Sequence, residues 1–255
     1  MSATPPAPAR QLSWAYRFAE SLVRPVLGLL TRPDWAGGEH LPRTGGFVAV
    51  GNHLSHTDPF TFGQFLLDHG CPPRFIGKQA VFDLPLLGAI VARAGQIPVH
   101  RESHDAGRAL ASAMDAVRAG ECVAIYPEAT LTRDPGLWPM VGKTGAARIA
   151  LTTGCPVIPI AQWGPQRLLP PYSARLRILR PTRVQIRAGP PVDLARFRDR
   201  PLDAETLRAA TEEIMAAITG LLEQIRGEPA PARRWDPREH GQPRTGNPRK
   251  ARRRP

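Results

Sequence analysis

Apolar residues recur at two different periods along this chain. From 14 to 30, Trp14, Phe18, Leu22, Val26 and Leu30 repeat at every fourth position, with Val23, Leu27 and Leu29 beside them. That spacing predicts an amphipathic helix, with Arg17, Glu20, Ser21, Arg24 and Gly28 on the opposite stripe. Pro25 removes one backbone hydrogen bond within it and predicts a kink. With 17 residues and three charged side chains, the helix is too short and too polar to span a bilayer. Its pattern fits equally a helix docked on a core and one lying in a lipid interface.

Beyond it, from about 37 to 188, short apolar runs alternate with helical patterns. The runs predict strands over 47–51, 75–78, 96–99, 122–126, 157–161 and 184–188. Helical spacing covers 59–69, 85–94, 104–119 and 143–153, and a last helix is expected over 203–226. Strand and helix in alternation predict an α/β fold with a mostly parallel central sheet flanked by helices. The expected organisation is a leader and amphipathic helix over 1–34, one domain over 35–226, and a Pro/Arg-rich, disordered basic tail over 227–255. In such sheets ligands bind beyond the carboxyl ends of the strands. The residues with chemical potential follow strand ends: Asn52-His53, His100-Arg101 and Pro127-Glu128.

Composition narrows the function classes. The chain has 255 residues and a formal charge of +12. Residues 231–255 carry nine basic and two acidic side chains, leaving only +5 for everything before them. A uniformly cationic protein is therefore excluded. The tail has Trp235 as its sole aromatic, so no base-stacking surface is evident and nucleic acid is not the expected partner. Cys71, Cys122 and Cys155 have neither metal-ligand nor CxxC spacing, which points to a reduced compartment. The first ten residues lack the apolar core of a signal peptide. The longest charge-free stretch, 149–166, is broken by Gly154, Pro156, Pro159, Gly164 and Pro165, so no transmembrane span is expected.

The segment Asn52-His53-Leu54-Ser55-His56-Thr57-Asp58-Pro59 admits three readings. Asp followed by Pro is a routine helix start, with Asp as the cap. His53 and Asp58 also suit a general base and the carboxylate that sets its tautomer. His53, His56 and Asp58 together could hold a metal, which would favour a hydrolase. Pro98 inside an apolar run belongs at a sheet edge or at the first residue of its strand. Arg101 at its end is either a surface charge or a bidentate clamp on phosphate. Taken alone, Glu128 after Tyr126-Pro127 is a solvated side chain or a site residue.

The order of these blocks is more specific than any one of them. NHLSHTD at 52–58, GQIPVHR at 95–101, YPEATLT at 126–132 and VIPIA at 157–161 resemble the NHxSxxD, GxIPVxR, FPEGTRS and VIPxx blocks of one family. It is the glycerophospholipid acyltransferase family of the 1-acylglycerol-3-phosphate acyltransferase (PlsC) type. Arg101 lies 48 residues after His53, Glu128 27 further on and Pro159 31 beyond that. Phe75-Ile76-Gly77-Lys78 and Gly142-Lys143-Thr144-Gly145 extend the resemblance, which covers roughly 35–190.

The resemblance implies an acyltransferase that moves a fatty acyl group from a thioester to the hydroxyl of a lysophospholipid. The expected acceptor is 1-acylglycerol-3-phosphate, giving phosphatidate, and the donor is acyl-CoA or acyl carrier protein. It implies His53 as general base and Asp58 as its partner, in a His-x4-Asp arrangement. Arg101, Glu128, Thr130, Asn52 and Lys78 are then substrate-binding. Neither a metal nor another cofactor is implied. With the amphipathic first helix, it leads to the expectation of a peripheral protein on the cytoplasmic face of the cell membrane. Two positions depart from the family pattern: Ala129 replaces its usual Gly, and Leu131 stands where Arg is frequent. If the loop needs a positive φ at 129, Ala carries a steric cost that Gly avoids, and Arg133 is the nearest substitute for the missing Arg.

Overall fold

A computed structural model describes residues 12–83, 85, 87–99 and 103–242; at 78, 80, 81, 87 and 103–106 it describes the backbone alone. The strands among these residues are β1 (Thr31–Ala36), β2 (Phe47–Gly51), β3 (Pro73–Lys78), β4 (Ile97–Val99), β5 (Cys122–Ile125), β6 (Val157–Trp163) and β7 (Thr182–Ala188). The helices are α1 (Trp14–Leu30), α2 (Asp58–Asp68), α3 (Gln79–Phe82), α4 (Leu87–Arg93), α5 (Ser103–Arg118), α6 (Gly145–Thr153), α7 (Pro165–Leu168) and α8 (Ala204–Arg226). The strands form one sheet in the order β1-β7-β6-β2-β5-β3-β4. Every neighbouring pair is parallel except β6 and β7. The expected α/β architecture is therefore the one adopted.

Period-two alternation distributes the core over both faces of the sheet. Val48, Val50, Val123 and Ile125 face one side, where they meet Ala113 of α5, Ala147 of α6 and Ile214 of α8. Phe47, Ala49 and Ala124 face the other side, against Phe62, Phe65 and Leu66 of α2. Covered on both faces, β2 and β5 read as unbroken apolar runs. Asp203 caps α8 by accepting the Thr206 N–H at 2.8 Å, and Gly227 ends it in the left-handed region at φ 70°.

Both end strands of the sheet carry a proline, Pro33 in β1 and Pro98 in β4, and Pro159 lies in the interior strand β6. β4 carries Pro98 and lies at one end of the sheet, one of the two placements its proline allowed. β1 lies at the other end and was not expected as a strand, because Thr31-Arg32-Pro33-Asp34 lacks an apolar alternation. It is held by pairing with β7. Asp34 also binds the guanidinium groups of Arg183 at 2.6 Å and Arg187 at 2.8 Å, from residues distant in sequence.

Helix α1 spans Pro25 as one element, and it packs on α2 and α4 through a side that includes Leu27. Ala15 and Leu27 are buried, whereas Trp14, Phe18, Leu22 and Val26 are exposed. Arg24 ties the helix down by bonding Asp68 at 2.6 Å and Glu20 at 2.8 Å. The tail expected to be disordered from 227 has a described part that is held to the domain. The Trp235 carbonyl accepts the Val141 N–H at 3.1 Å, Arg234 pairs with Glu212, and Trp235 stacks on His240. Composition hid these contacts because their partners lie elsewhere in the chain. Residues 243–255 lie outside the described residues.

Candidate active site

Strands β2 and β5 are parallel neighbours, so the segments after Gly51 and Ile125 emerge at the same edge of the sheet. That brings His53 beside Tyr126 and Glu128. The His53 ring lies flat on Tyr126, and its Nδ1 is 2.9 Å from Asp58 Oδ2. With a carboxylate as acceptor, Nδ1 carries the hydrogen and Nε2 is the basic nitrogen. The ring lines a cavity of about 1240 Å³.

Asp58 opens α2, but its side chain caps nothing within that helix. It turns back on the preceding loop, where the same Oδ2 accepts the N–H groups of Leu54 at 2.5 Å and Ser55 at 2.8 Å. The side chain is buried. Burial pushes its carboxyl up from the ordinary range, and the bonds from His53, Ser55 and Leu54 pull it back down. Of the three readings of this segment, the geometry matches the His–Asp pair. Among the described residues no three His, Cys, Asp or Glu side chains are grouped to hold a metal, so His53, His56 and Asp58 do not form such a cluster.

Glu128 is also buried. Its Oε1 accepts the His53 N–H and its Oε2 the Met140 N–H, both at 3.0 Å. Burial raises its carboxyl to about 8, against the pull of those two N–H groups. The backbone of His53 is clamped a second time, since its carbonyl accepts the Thr132 N–H at 2.7 Å. Glu128 thus ties the loop that carries His53 to the segment at Met140. Asn52 has a similar position. Its amide donates to the Gln162 carbonyl at 3.0 Å and accepts the Gln162 N–H at 2.8 Å. It is buried against β6 and, unlike the expectation of a substrate contact, ties the loop to the neighbouring strand.

The other expected residues divide. Thr130 lines the cavity, with its hydroxyl 3.4 Å from that of Tyr172. Lys143 lines the same cavity, and its backbone N–H holds the Pro127 carbonyl at 2.8 Å. Lys78 ends β3 opposite Val99, but its side chain lies outside the described residues. Arg101 lies outside them altogether. Ala129 has φ 55°, so the loop does need the conformation that Gly adopts freely. Leu131 is buried. Arg133 is buried too, and its Nε donates to the hydroxyl of Tyr172, which lines the cavity, at 3.3 Å.

Sequence reasoning passed over Tyr126 as a contact of His53, and over Tyr172. Tyr126 sits inside a motif, so an aromatic beside the histidine was available to notice. Tyr172 has no such signal: it reaches Leu131 from 41 positions away, donating its hydroxyl to that carbonyl at 2.7 Å. The apolar part of the cavity comes from Phe18, Leu22, Val23 and Leu27 of α1, Leu67 of α2, Ile90 and Val91 of α4, and Leu110 of α5.

A 1-acyl-sn-glycerol-3-phosphate acyltransferase of Brassica napus chloroplasts is 34% identical over 141 residues, which is 54% of this chain and 39% of that protein. A protein of the same name from Borreliella burgdorferi is 30% identical over 125 residues, 49% of this chain and 48% of its own. The chain thus spans less than half the length of either relative. The crystal structure of the 1-acyl-sn-glycerophosphate acyltransferase PlsC from Thermotoga maritima superposes with a TM-score of 0.63 at 23% identity, covering 85% of this chain and 81% of that one. That likeness establishes a shared fold. Residues 32–163, more than half of the chain and including every block discussed above, match the family model described as Acyltransferase, and the protein accordingly belongs to the acyltransferase family.

Proposed function

We propose that the protein is an O-acyltransferase that transfers a fatty acyl group from a thioester to the hydroxyl of a lysophospholipid, with 1-acylglycerol-3-phosphate as the acceptor and phosphatidate as the product. The observation that carries the reading is the His53–Asp58 pair at 2.9 Å, set on a cavity whose lining combines a few polar groups with long apolar side chains. The names of the relatives support the same acceptor.

An alcohol attacks poorly at neutral pH unless its proton is removed as the new bond forms. His53 Nε2 takes that proton while the hydroxyl oxygen adds to the thioester carbonyl. Asp58 stabilises the resulting imidazolium through Nδ1–H. Collapse of the tetrahedral intermediate breaks the C–S bond, and the sulfur leaves as a thiol with the proton returned by His53. Acyl-CoA or acyl carrier protein serves as the co-substrate. The apolar stretch of the cavity suits an acyl chain, and Lys143 and Arg101 are the cations assigned to the acceptor phosphate.

The place of action follows from α1. No helix among the described residues is long and apolar enough to cross a membrane, yet Trp14, Phe18, Leu22 and Val26 form an exposed apolar stripe. Such a stripe suits insertion into the headgroup region, and we assign the protein to the cytoplasmic membrane surface as a peripheral protein. The test is an acyl-transfer assay on the purified full chain with acyl-CoA and acyl carrier protein donors. The acceptors are 1-acylglycerol-3-phosphate, the same lipid without phosphate, and a lysophospholipid with a larger headgroup. Transfer to the first acceptor above the others is the expected result. Thioester hydrolysis without transfer to any acceptor would sink the reading.

A further inference from the structure

The connection between α7 and β7 carries a second exposed apolar element. Over 175–180 the sequence is Arg-Leu-Arg-Ile-Leu-Arg, and all six residues are exposed. Leu176 is 50% exposed, Ile178 59% and Leu179 97%. A leucine almost wholly in water, beside two more large apolar side chains, is a liability for a protein that stays in solution. The whole connection, 169–181, contains no Asp or Glu, and among the described residues no ion pair is recorded for Arg175, Arg177 or Arg180. The segment is anchored at its base. Arg177 N–H donates to the Leu168 carbonyl at 2.8 Å, and the Leu169 carbonyl accepts the Ser55 hydroxyl at 2.7 Å. Tyr172 is bonded to the Leu131 carbonyl. The loop therefore projects from the same segments that build the His53 loop.

Its position also matters. Ser173 and Ala174, at the start of this projection, border the cavity that Phe18 and Leu22 of α1 border, together with exposed Phe60 of α2. Apolar side chains and guanidinium groups in alternation suit an anionic phospholipid surface. The former enter the acyl boundary while the latter bind phosphates, for which the planar guanidinium is well shaped. A soluble acidic protein would be matched by the arginines but would leave Leu179 without a reason for its exposure.

We infer that the 175–180 loop is a second membrane-docking element, separate from α1, which seats on anionic phospholipid so that the cavity of His53 opens toward the lipid. The inference rests on the reading of the protein as peripheral at a membrane, and the experiment separates the two. Binding of the full chain is measured to vesicles of phosphatidylcholine with and without phosphatidylglycerol. The variants are I178S/L179S in the loop, F18S/L22S in α1, and R175Q/R177Q/R180Q. Each basic residue near such a surface contributes about fivefold to partitioning, and each large apolar side chain that inserts contributes about tenfold. Wild-type binding to the anionic vesicles, weakened about tenfold or more by I178S/L179S, is the expected result. The triple arginine variant should lose most of the preference for phosphatidylglycerol and its sensitivity to salt. An environment-sensitive dye on L179C should shift to the blue on vesicle addition, against unlabelled-site controls for the three native cysteines. If the wild type binds and F18S/L22S weakens it, but I178S/L179S binds equally and the dye does not shift, the loop inference is overturned and the membrane reading stands. If the wild type ignores all vesicles, both fall. If the loop variants lose only transfer from acyl carrier protein while vesicle binding is intact, the loop is a protein-docking surface and the inference is wrong.

Discussion

The imidazole of His53 lies parallel to the ring of Tyr126, with centroids 4.1 Å apart and planes 12° from coincidence. Tyr126 occupies the aromatic position of the Tyr-Pro-Glu block and brings the end of β5 into contact with the residue that follows β2. Its hydroxyl is buried near Gln162 but short of hydrogen-bond geometry with any described residue. The ring, rather than the hydroxyl, is what this contact uses. Y126F should therefore keep activity and change stability little, because the hydroxyl has at most a weak partner in Gln162. Y126A should lower turnover and destabilise by about 2 kcal/mol, as expected for loss of a half-buried aromatic packed on the core. Thermal unfolding and steady-state kinetics of the two variants decide it; equal losses of turnover in both would show that the hydroxyl matters.

The His53–Asp58 pair can be dissected with three substitutions. H53A should lower kcat by about 10²–10⁴ and leave the fold intact. D58N can place one oxygen where Oδ2 accepts from His53, Leu54 and Ser55, so it keeps the loop and loses the charge. Its turnover should drop while its stability changes little. D58A strips two buried N–H groups of their acceptor and should in addition lose about 2 kcal/mol or more. Comparable stability of D58A and D58N in denaturant titrations would remove the loop-bracing role.

Glu128 makes a prediction about pH. Its folded value, about 8, lies above the ordinary 4.5. The folded protein therefore binds more protons than the unfolded chain between these values, and stability falls as pH rises across them. The contribution is complete below about pH 4.5 and is lost as pH rises through about 8. E128Q should flatten that part of the urea midpoint curve. It should also be less stable near pH 6, because its amide turns a donor toward one of the N–H groups of His53 and Met140. Parallel pH curves for wild type and variant would contradict the assignment.

Ala129 holds a left-handed conformation at φ 55°. An alanine there carries a backbone cost of about 1–2 kcal/mol, against which glycine's extra freedom in the unfolded chain weighs about 0.4–1 kcal/mol. A129G should consequently be neutral to about 1 kcal/mol more stable, in contrast to the loss usual for Ala→Gly. A clear fall in the thermal midpoint would mean that the methyl group makes a contact outweighing the strain.

Much of this fold is readable from local pattern. The strands over 47–51, 122–125 and 157–161 are apolar runs bounded by turn residues, and α8 spans the stretch from its Asp203 cap to Gly227. Pro98 fits the edge position of β4, but Pro159 in the interior strand β6 shows that a proline alone does not place a strand at an edge. β1 was hidden because an edge strand needs little apolar surface and takes its stability from β7, about 150 positions away. The orientation of α1 was open for a related reason. A helix with two serviceable faces is placed by the shape of α2 and α4, not by its own period.

By itself the sequence settled the layered α/β architecture and the family, since periodicity and motif order are properties of neighbouring residues. Only the tertiary structure decided what each side chain does there. Asn52 meets Gln162 across 110 positions and His53 meets Glu128 across 75. Those contacts make Asn52 and Glu128 braces of the loop that carries His53. They depend on how parallel strands line up side by side, and that alignment is set by packing over the whole sheet, which no local spacing records.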